Sequence, residues 1–302
     1  MRLVLGKHGG HDPRFWQIAA LTSLLTIGVA VFQFDFAAWH PVVTVASALL
    51  TQAFCVMALR WRGTLLDFDP LSPAITALSL SLLLRTDALW LSALAASLAI
   101  GSKFLLRWDG RHLFNPANFA LVLIPLFASG AWISPGQWGS AGLLAVAVAG
   151  IGCLVASRAS RLDTTLAFLG TWAALTVGRA LWLGDPWAIP LHQLQSGAIL
   201  VFAFFMISDP ATTPVSRAWR IFHAAAVAGL GFWLQTAWIT NTGPILALIV
   251  LAPLVPVLNR FPPLQLRRTA RAAPPSHSTQ TGSSPAPCPA DSPLPRPARP
   301  PV

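Results

Sequence analysis

The chain has 302 residues, of which 55% are hydrophobic and only 10% charged, with a mean hydropathy of +0.63. That balance excludes an ordinary soluble domain and identifies a multi-span membrane protein. The formal charge of +10 does not point to nucleic acid, because the basic residues stand singly between apolar runs rather than on one face. There is no Glu and no Tyr, so thirteen Trp are left to supply the interfacial aromatic belt. Cys55, Cys153 and Cys288 are scattered without metal-ligand spacing, which leaves no cysteine-based metal site and no disulfide framework.

Taken in order, residues 1–14 form a basic tail expected on the cytoplasmic side, and residues 15–34 form a first apolar run long enough to span about 30 Å of hydrocarbon. His8 and His11 lie in that tail without a third ligand and read as solvated. Further runs cover residues 41–59, 73–84, 89–106, 116–133, 138–156, 162–183, 192–207, 219–238 and 244–258. The expected fold is all-α and polytopic: about ten transmembrane helices in residues 15–260, arranged as two five-helix halves. Run 73–84 is only about 18 Å long at 1.5 Å per residue, so it is expected to be a half-length or broken helix lining a cavity or packed on protein.

With the N-terminus cytoplasmic, all of the 20 Lys and Arg except Arg85 and Arg179 fall on one side, placing both termini in the cytoplasm. Residues 261–302 turn to Pro, Ser, Ala and Arg and cannot bury enough surface to offset ordering entropy. They read as a disordered tail whose basic residues lie near an anionic leaflet and whose Pro-x-x-Pro spacings offer a docking motif.

Three segments share one pattern: Ser72-Pro73-Ala74, Asn115-Pro116-Ala117 and Asp209-Pro210-Ala211. Ser, Asn and Asp are favoured N-caps and Pro is favoured at the first helical position, so each reads as a helix start. All three fall on the cytoplasmic side, where converging helix N-termini would suit an anionic or carbonyl-rich ligand. No Asp lies in the middle of an apolar run, so any ion path must use carbonyls, amides or hydroxyls. Lys103 is expected to snorkel to the headgroups, with contact to a ligand beside Asn115 as the functional reading. His192 and His223 read as structural. No nucleophile–base pair, phosphate loop or metal motif is present, so no catalytic residue and no metal site is assigned.

Residues 110–120 (Gly-Arg-His-Leu-Phe-Asn-Pro-Ala-Asn-Phe-Ala), 72–76 (Ser-Pro-Ala-Ile-Thr) and 196–214 (from Ser-Gly-Ala to Phe-Phe-Met-Ile-Ser-Asp-Pro-Ala-Thr-Thr-Pro) resemble one family of membrane flavoproteins. Its members are the flavin-carrying membrane subunits of the sodium-pumping NADH:quinone oxidoreductase (Nqr) and of the Rnf electron transport complex. The resemblance covers residues 41–259. It implies a ten-helix electron-transport protein of the bacterial inner membrane, with coupled transmembrane transport and redox partners or other complex subunits, on a fold similar to urea-transporter channels. It also implies a non-covalent flavin, riboflavin or FMN, near Asn115 and Asn118, with Thr76, Lys103, Asp209 and Thr212 as neighbours. The family's covalent FMN sits on a Thr between the fifth and sixth spans. Here that loop is Ser-Pro-Gly-Gln at 134–137, without Thr, so no covalent FMN is expected and the chain is read as a short, stand-alone type. Two other readings stay open: a small-solute transporter or channel on the same fold, and a cofactor-free scaffold protein.

Overall fold

A computed structural model describes residues 12–32, 34, 39–59, 68–138, 142–238 and 240–261. The readings placed on residues 1–11, on Arg60 and Arg62, on Cys288 and on residues 262–302 lie outside the described residues. The chain divides into a unit Met1–Pro263 and a unit Leu264–Val302.

The described residues are mostly helical. In order they form α1 (Pro13–Ala30), α2 (Trp39–Leu59), α3 (Leu71–Leu83), β1 (Leu84–Thr86), α4 (Leu89–Leu105), β2 (Arg107–Trp108), β3 (Arg111–His112), α5 (Pro116–Phe127) and β4 (Ala131–Ile133). The order continues with α6 (Gly142–Arg158), α7 (Leu162–Leu183), α8 (Ala188–Leu194), α9 (Gly197–Val201), α10 (Arg217–Ala237), α11 (Gly243–Leu251) and α12 (Leu254–Arg260). Three stretches are long and apolar enough to cross a membrane: Trp39–Ala58, Leu162–Leu183 and Ala188–Met206. The pair α11 and α12 passes as a fourth, bent by 47°. Shorter apolar helices at Leu71–Leu83, Leu89–Leu105, Pro116–Phe127 and Ala145–Arg158 pack among them. The molecule is thus a helical membrane protein.

The half-length helix expected at 73–84 is present as α3, 13 residues long. A second one lies in the run 116–133, which reads in sequence as a single span but is two elements in space, with Ser129-Gly130 between them as the local break signal. Helix α5 stops after 12 residues, and the chain turns into β4, which pairs antiparallel with β1 in the register Leu84↔Ile133, Arg85↔Trp132 and Thr86↔Ala131. A short helix in hydrocarbon strands its last carbonyls and the backbone beyond it. The β1–β4 ladder gives that backbone partners, as polar groups away from water require. Ser134 N–H donates to Leu83 O at 2.9 Å and Asp87 N–H to Gly130 O at 2.9 Å, closing both ends of the ladder.

In the second half of the chain, α9 continues through a π turn, Phe202–Met206, where Ile207 N–H reaches back to Phe202 O at 3.1 Å. The wider turn frees carbonyls that are then taken by side chains: Thr165 Oγ1 donates to Ala203 O at 2.8 Å and Ser208 Oγ to Phe204 O. Helix α10 packs on α7 and α11, and α2 on α3 and α4. The α10–α11 contact is close enough that glycine is required on both sides, as in other small-residue membrane interfaces. A Cβ on Gly243 would sit 2.2 Å from Gly231 O, and one on Gly231 2.9 Å from Pro244 Cα. One apolar core joins α1, α3, α4, α5, α6, α9, α10 and α11, while Trp182, Phe127 and Leu50 stay exposed on the outer surface.

Candidate functional site at the Pro-Ala segments

Two of the three segments read as helix starts do not begin helices at the expected residue. Asn115 does: its Oδ1 accepts from Asn118 N–H at 3.0 Å, with Pro116 as the first helical residue. Helix α3 begins earlier, at Leu71, whose N–H donates to Asp69 Oδ1 at 3.1 Å. Asp209 heads an isolated turn instead. Its Oδ1 accepts from Ala211 N–H at 2.9 Å, its Oδ2 from Thr212 Oγ1 at 3.2 Å and its carbonyl from Thr213 Oγ1 at 2.9 Å. The next helix starts only at Arg217. The same capping chemistry that favours a helix start also favours an Asx turn, and Pro214 plus the following loop decides for the turn.

The three segments nevertheless meet. They surround a cavity of about 420 Å³ whose wall includes Ser72, Thr76, Lys103, Asn115, Pro116 and Asp209. Apolar groups from Ile75, Ala117, Val155 and Phe205 complete it, and Asp12, Arg14, His112 and Arg158 stand around it. The volume lies in the range of small-molecule sites, roughly 300–1,000 Å³.

Lys103 does not snorkel. It is 5% exposed and its Nζ donates to Ser72 Oγ at 2.8 Å and Gln52 Oε1 at 3.3 Å, tying α4 to α3 and α2. Among the described residues it has no carboxylate within ion-pairing distance. Asn115 Nδ2 donates to Asp209 Oδ2 at 3.2 Å and to Met206 O at 3.4 Å, so the amide bridges α5 to the end of the π turn. Arg14 is held by Asp12 at 2.8 Å and also reaches Asp69, which closes the α1 side of the cavity onto the start of α3. Arg158 lies with its Cζ 5.3 Å from the Trp16 ring centre.

Thr76, Lys103, Asn115 and Asp209 therefore line one space, while Asn118 and Thr212 do not. Asn118 is 1% exposed and its Nδ2 donates to Ile245 O at 3.1 Å, joining α5 to α11. Its Oδ1 is buried without a partner among the described residues. Thr212 spends its hydroxyl on Asp209.

The floor of the cavity is set by a hairpin. Asp109 (φ 48°) and Gly110 (φ 77°) form the two-residue turn between β2 and β3, as the Asp-Gly pair favours. The hairpin places His112 against Lys103, with Nδ1–H donating to the Lys103 carbonyl at 3.1 Å. Burial, and next the Lys103 ammonium, push the His112 pKa below its ordinary 6.5.

The architecture and the position of the π turn at Phe-Phe-Met-Ile-Ser-Asp-Pro lead to the comparison with known proteins. Residues 122–265 match the NQR2, RnfD, RnfE family. Over residues 122–265 the match bears out the resemblance read from the sequence, including its segment at 196–214. The D-type subunit of an ion-translocating oxidoreductase complex from Tolumonas auensis is 31% identical over 99 residues, 33% of this chain and 28% of that protein. Its counterpart from Escherichia coli O7:K1 is 32% identical over 104 residues, 34% of this chain and 25% of that protein. An ammonium transporter 1 member 1 from Solanum lycopersicum is 29% identical over 126 residues, 38% of this chain and 25% of that protein. The matched stretches thus span about a quarter of the length of these relatives.

The match to the NQR2, RnfD, RnfE family covers Asp209 and Thr212 but starts beyond Thr76, Lys103 and Asn115. Those three join the site through folding alone. Sequence reasoning missed Gln52, Arg14, His112 and Phe205 as members or supports of the cavity. Gln52 had a signal, being an amide within an apolar run. Arg14 and Phe205 had none, since a basic residue before a first span and a Phe in an apolar run are ordinary.

Proposed function

We propose that this chain is a ten-span inner-membrane protein of the ion-translocating oxidoreductase kind, with both termini cytoplasmic, that holds one flavin non-covalently in the cavity at the Pro-Ala segments. The observation that carries the reading is the cavity itself, about 420 Å³, lined by Thr76, Lys103, Asn115 and Asp209 from four separate parts of the chain. The residues fit the group. An isoalloxazine ring needs a flat apolar slot with polar partners for its carbonyls and ring nitrogens, and Ile75, Ala117, Val155 and Phe205 offer the first while Thr76, Lys103 and Asn115 offer the second.

A flavin bound there would supply electron transfer. Lys103 places a buried positive charge in the wall, which favours a ring that gains negative charge on reduction. Asp209 holds Asn115 in place through Nδ2, and the apolar side chains exclude water. No Thr occurs in residues 128–141, the connection from α5 to α6, which supports a non-covalent cofactor. Electrons would pass to redox partner proteins or further subunits, as the names of the relatives suggest. Protein purified in mild detergent from cells supplied with riboflavin and FMN is expected to carry flavin absorbance. Folded protein without it overturns the reading.

A second reading, a channel or transporter for a small solute, is favoured by the similarity to plant ammonium transporters and by α3 and α5 both stopping short at the β1–β4 ladder. Flux of ammonium or another small solute into liposomes tests it. Tight liposomes for every solute tried would remove it.

A further inference from the structure

A second cavity, of about 180 Å³, adjoins the β2–β3 hairpin and shares His112 and Ala211 with the wall of the site above. Its wall combines the polar Arg111 and Asn259 with the apolar Val215, Val255 and Pro256, and Val215 N–H donates to Asn259 Oδ1 at 2.9 Å. Trp108 also lines it and is half exposed. The cavity is built where α4 and α12 end, the level at which Trp and Arg meet the headgroups of a bilayer.

Arg111 is the cation in that wall. Its Nη2 donates to Pro210 O at 2.7 Å and Thr213 O at 2.9 Å, fixing the guanidinium, while Nη1 is buried without a partner among the described residues. Arg260 stands over the Trp108 ring with its Cζ 5.5 Å from the ring centre. Arg107 is held in the same hairpin through the Gly110 carbonyl. Arg111 thus lines the space itself and Arg260 stands beside it over Trp108, while Asp109 is the one carboxylate in the wall among the described residues. A fixed guanidinium in the wall suits a phosphate by its charge, and the apolar side chains suit the glycerol and first methylenes of an acyl chain.

We propose that this cavity binds the phosphate of an anionic phospholipid from the leaflet on that side, with Arg111 as the main contact and Arg260 as the second. Basic pockets between membrane helices take anionic headgroups in this way. Asp109 sets a limit on the affinity, because it repels the same phosphate.

The test uses the full chain in detergent micelles, with dioleoylphosphatidylglycerol, dioleoylphosphatidylcholine or inorganic phosphate added, and reads retained lipid by native mass spectrometry together with Tm. Phosphatidylglycerol is expected to be retained and to raise Tm, and phosphatidylcholine is not. Arg111→Gln and Arg260→Gln are each expected to weaken retention by about fivefold, the effect of one cation near an anionic headgroup. Arg260→Gln keeps the test open if Arg111→Gln fails to fold, because Arg260 makes no bond to the 210–213 backbone. Asp109→Asn keeps the left-handed backbone that Asn tolerates and is expected to strengthen retention. Equal effects of inorganic phosphate and phosphatidylglycerol would assign the site to a free phosphate and overturn the lipid reading, as would equal retention of the two lipids or unchanged retention in Arg260→Gln.

Discussion

Lys103 is the residue on which the candidate site depends, since it is buried and, among the described residues, its Nζ is bonded only to neutral oxygens of Ser72 and Gln52. Lys103→Met keeps the length of the side chain and removes the charge. It is expected to reduce copurifying flavin at least tenfold per folded protein, read by absorbance across a size-exclusion peak. Asn118 behaves differently, because it joins α5 to α11 rather than facing the cavity. Asn118→Leu is expected to lower stability by about 1–2 kcal/mol through the unpaired Ile245 carbonyl, with flavin content per folded protein unchanged. Thermal unfolding and absorbance on one sample separate the two outcomes. His112 supplies a pH dependence. Its folded pKa lies below 6.5, so the unfolded chain binds the proton more readily. The stability it contributes is present in full above pH 6.5 and is lost as pH falls through the folded value. Asp12 acts in a lower window: the hydrogen bond from Arg14 holds its pKa below 3.8, so its contribution persists above 3.8 and is lost beneath it. In His112→Gln the change of Tm between pH 7.5 and 5 is expected to flatten relative to the parent chain.

At the scale of elements, the two half-length helices and the π turn do one job. Each ends the regular ladder inside the protein and leaves backbone or side-chain groups to be satisfied by a neighbour, whether the β1–β4 pair, Thr165 or Asn115. These interruptions bring polar atoms to the middle of an apolar bundle without stranding them. The α10–α11 contact shows the converse, a place where two helices run so close that a methyl group has no room. Gly243→Ala puts a Cβ against Gly231 O, and overpacking of this kind costs on the order of 1–3 kcal/mol. The expected result is a lower Tm in detergent, with flavin content per folded protein preserved. Unchanged Tm would mean that α10 and α11 separate more easily than their packing implies.

At the scale of the whole molecule, the unit Met1–Pro263 carries the cavity, the hairpin and the core. A chain ending at residue 263 is expected to keep the Tm and the ligand content of the full chain. A loss of either would show that residues 264–302 contribute to the fold or the site. The charge asymmetry also belongs to this scale. With Arg85 and Arg179 as the only exceptions in the sequence, reporter fusions at both ends are expected to report the cytoplasm. A periplasmic signal at either end would overturn that expectation.

The amino-acid sequence by itself determined the membrane class, the resemblance to the NQR2, RnfD, RnfE family, the short helix at α3 and the set of polar segments, because hydropathy, capping chemistry and the Phe-Phe-Met-Ile-Ser-Asp-Pro element are local. It also singled out four of the residues that line the cavity: Thr76, Lys103, Asn115 and Asp209. What only the tertiary structure decided is non-local. Run 116–133 carries a local break signal, Ser129-Gly130, just after the end of α5. What it does not show is that the residues beyond the break pair as β4 with β1, more than forty residues earlier. Asn115 and Asn118 are equally polar and three residues apart at the start of one helix. Packing alone turns the first toward Asp209 and the cavity and the second toward Ile245 and α11, since side chains three residues apart on a short helix meet different neighbours.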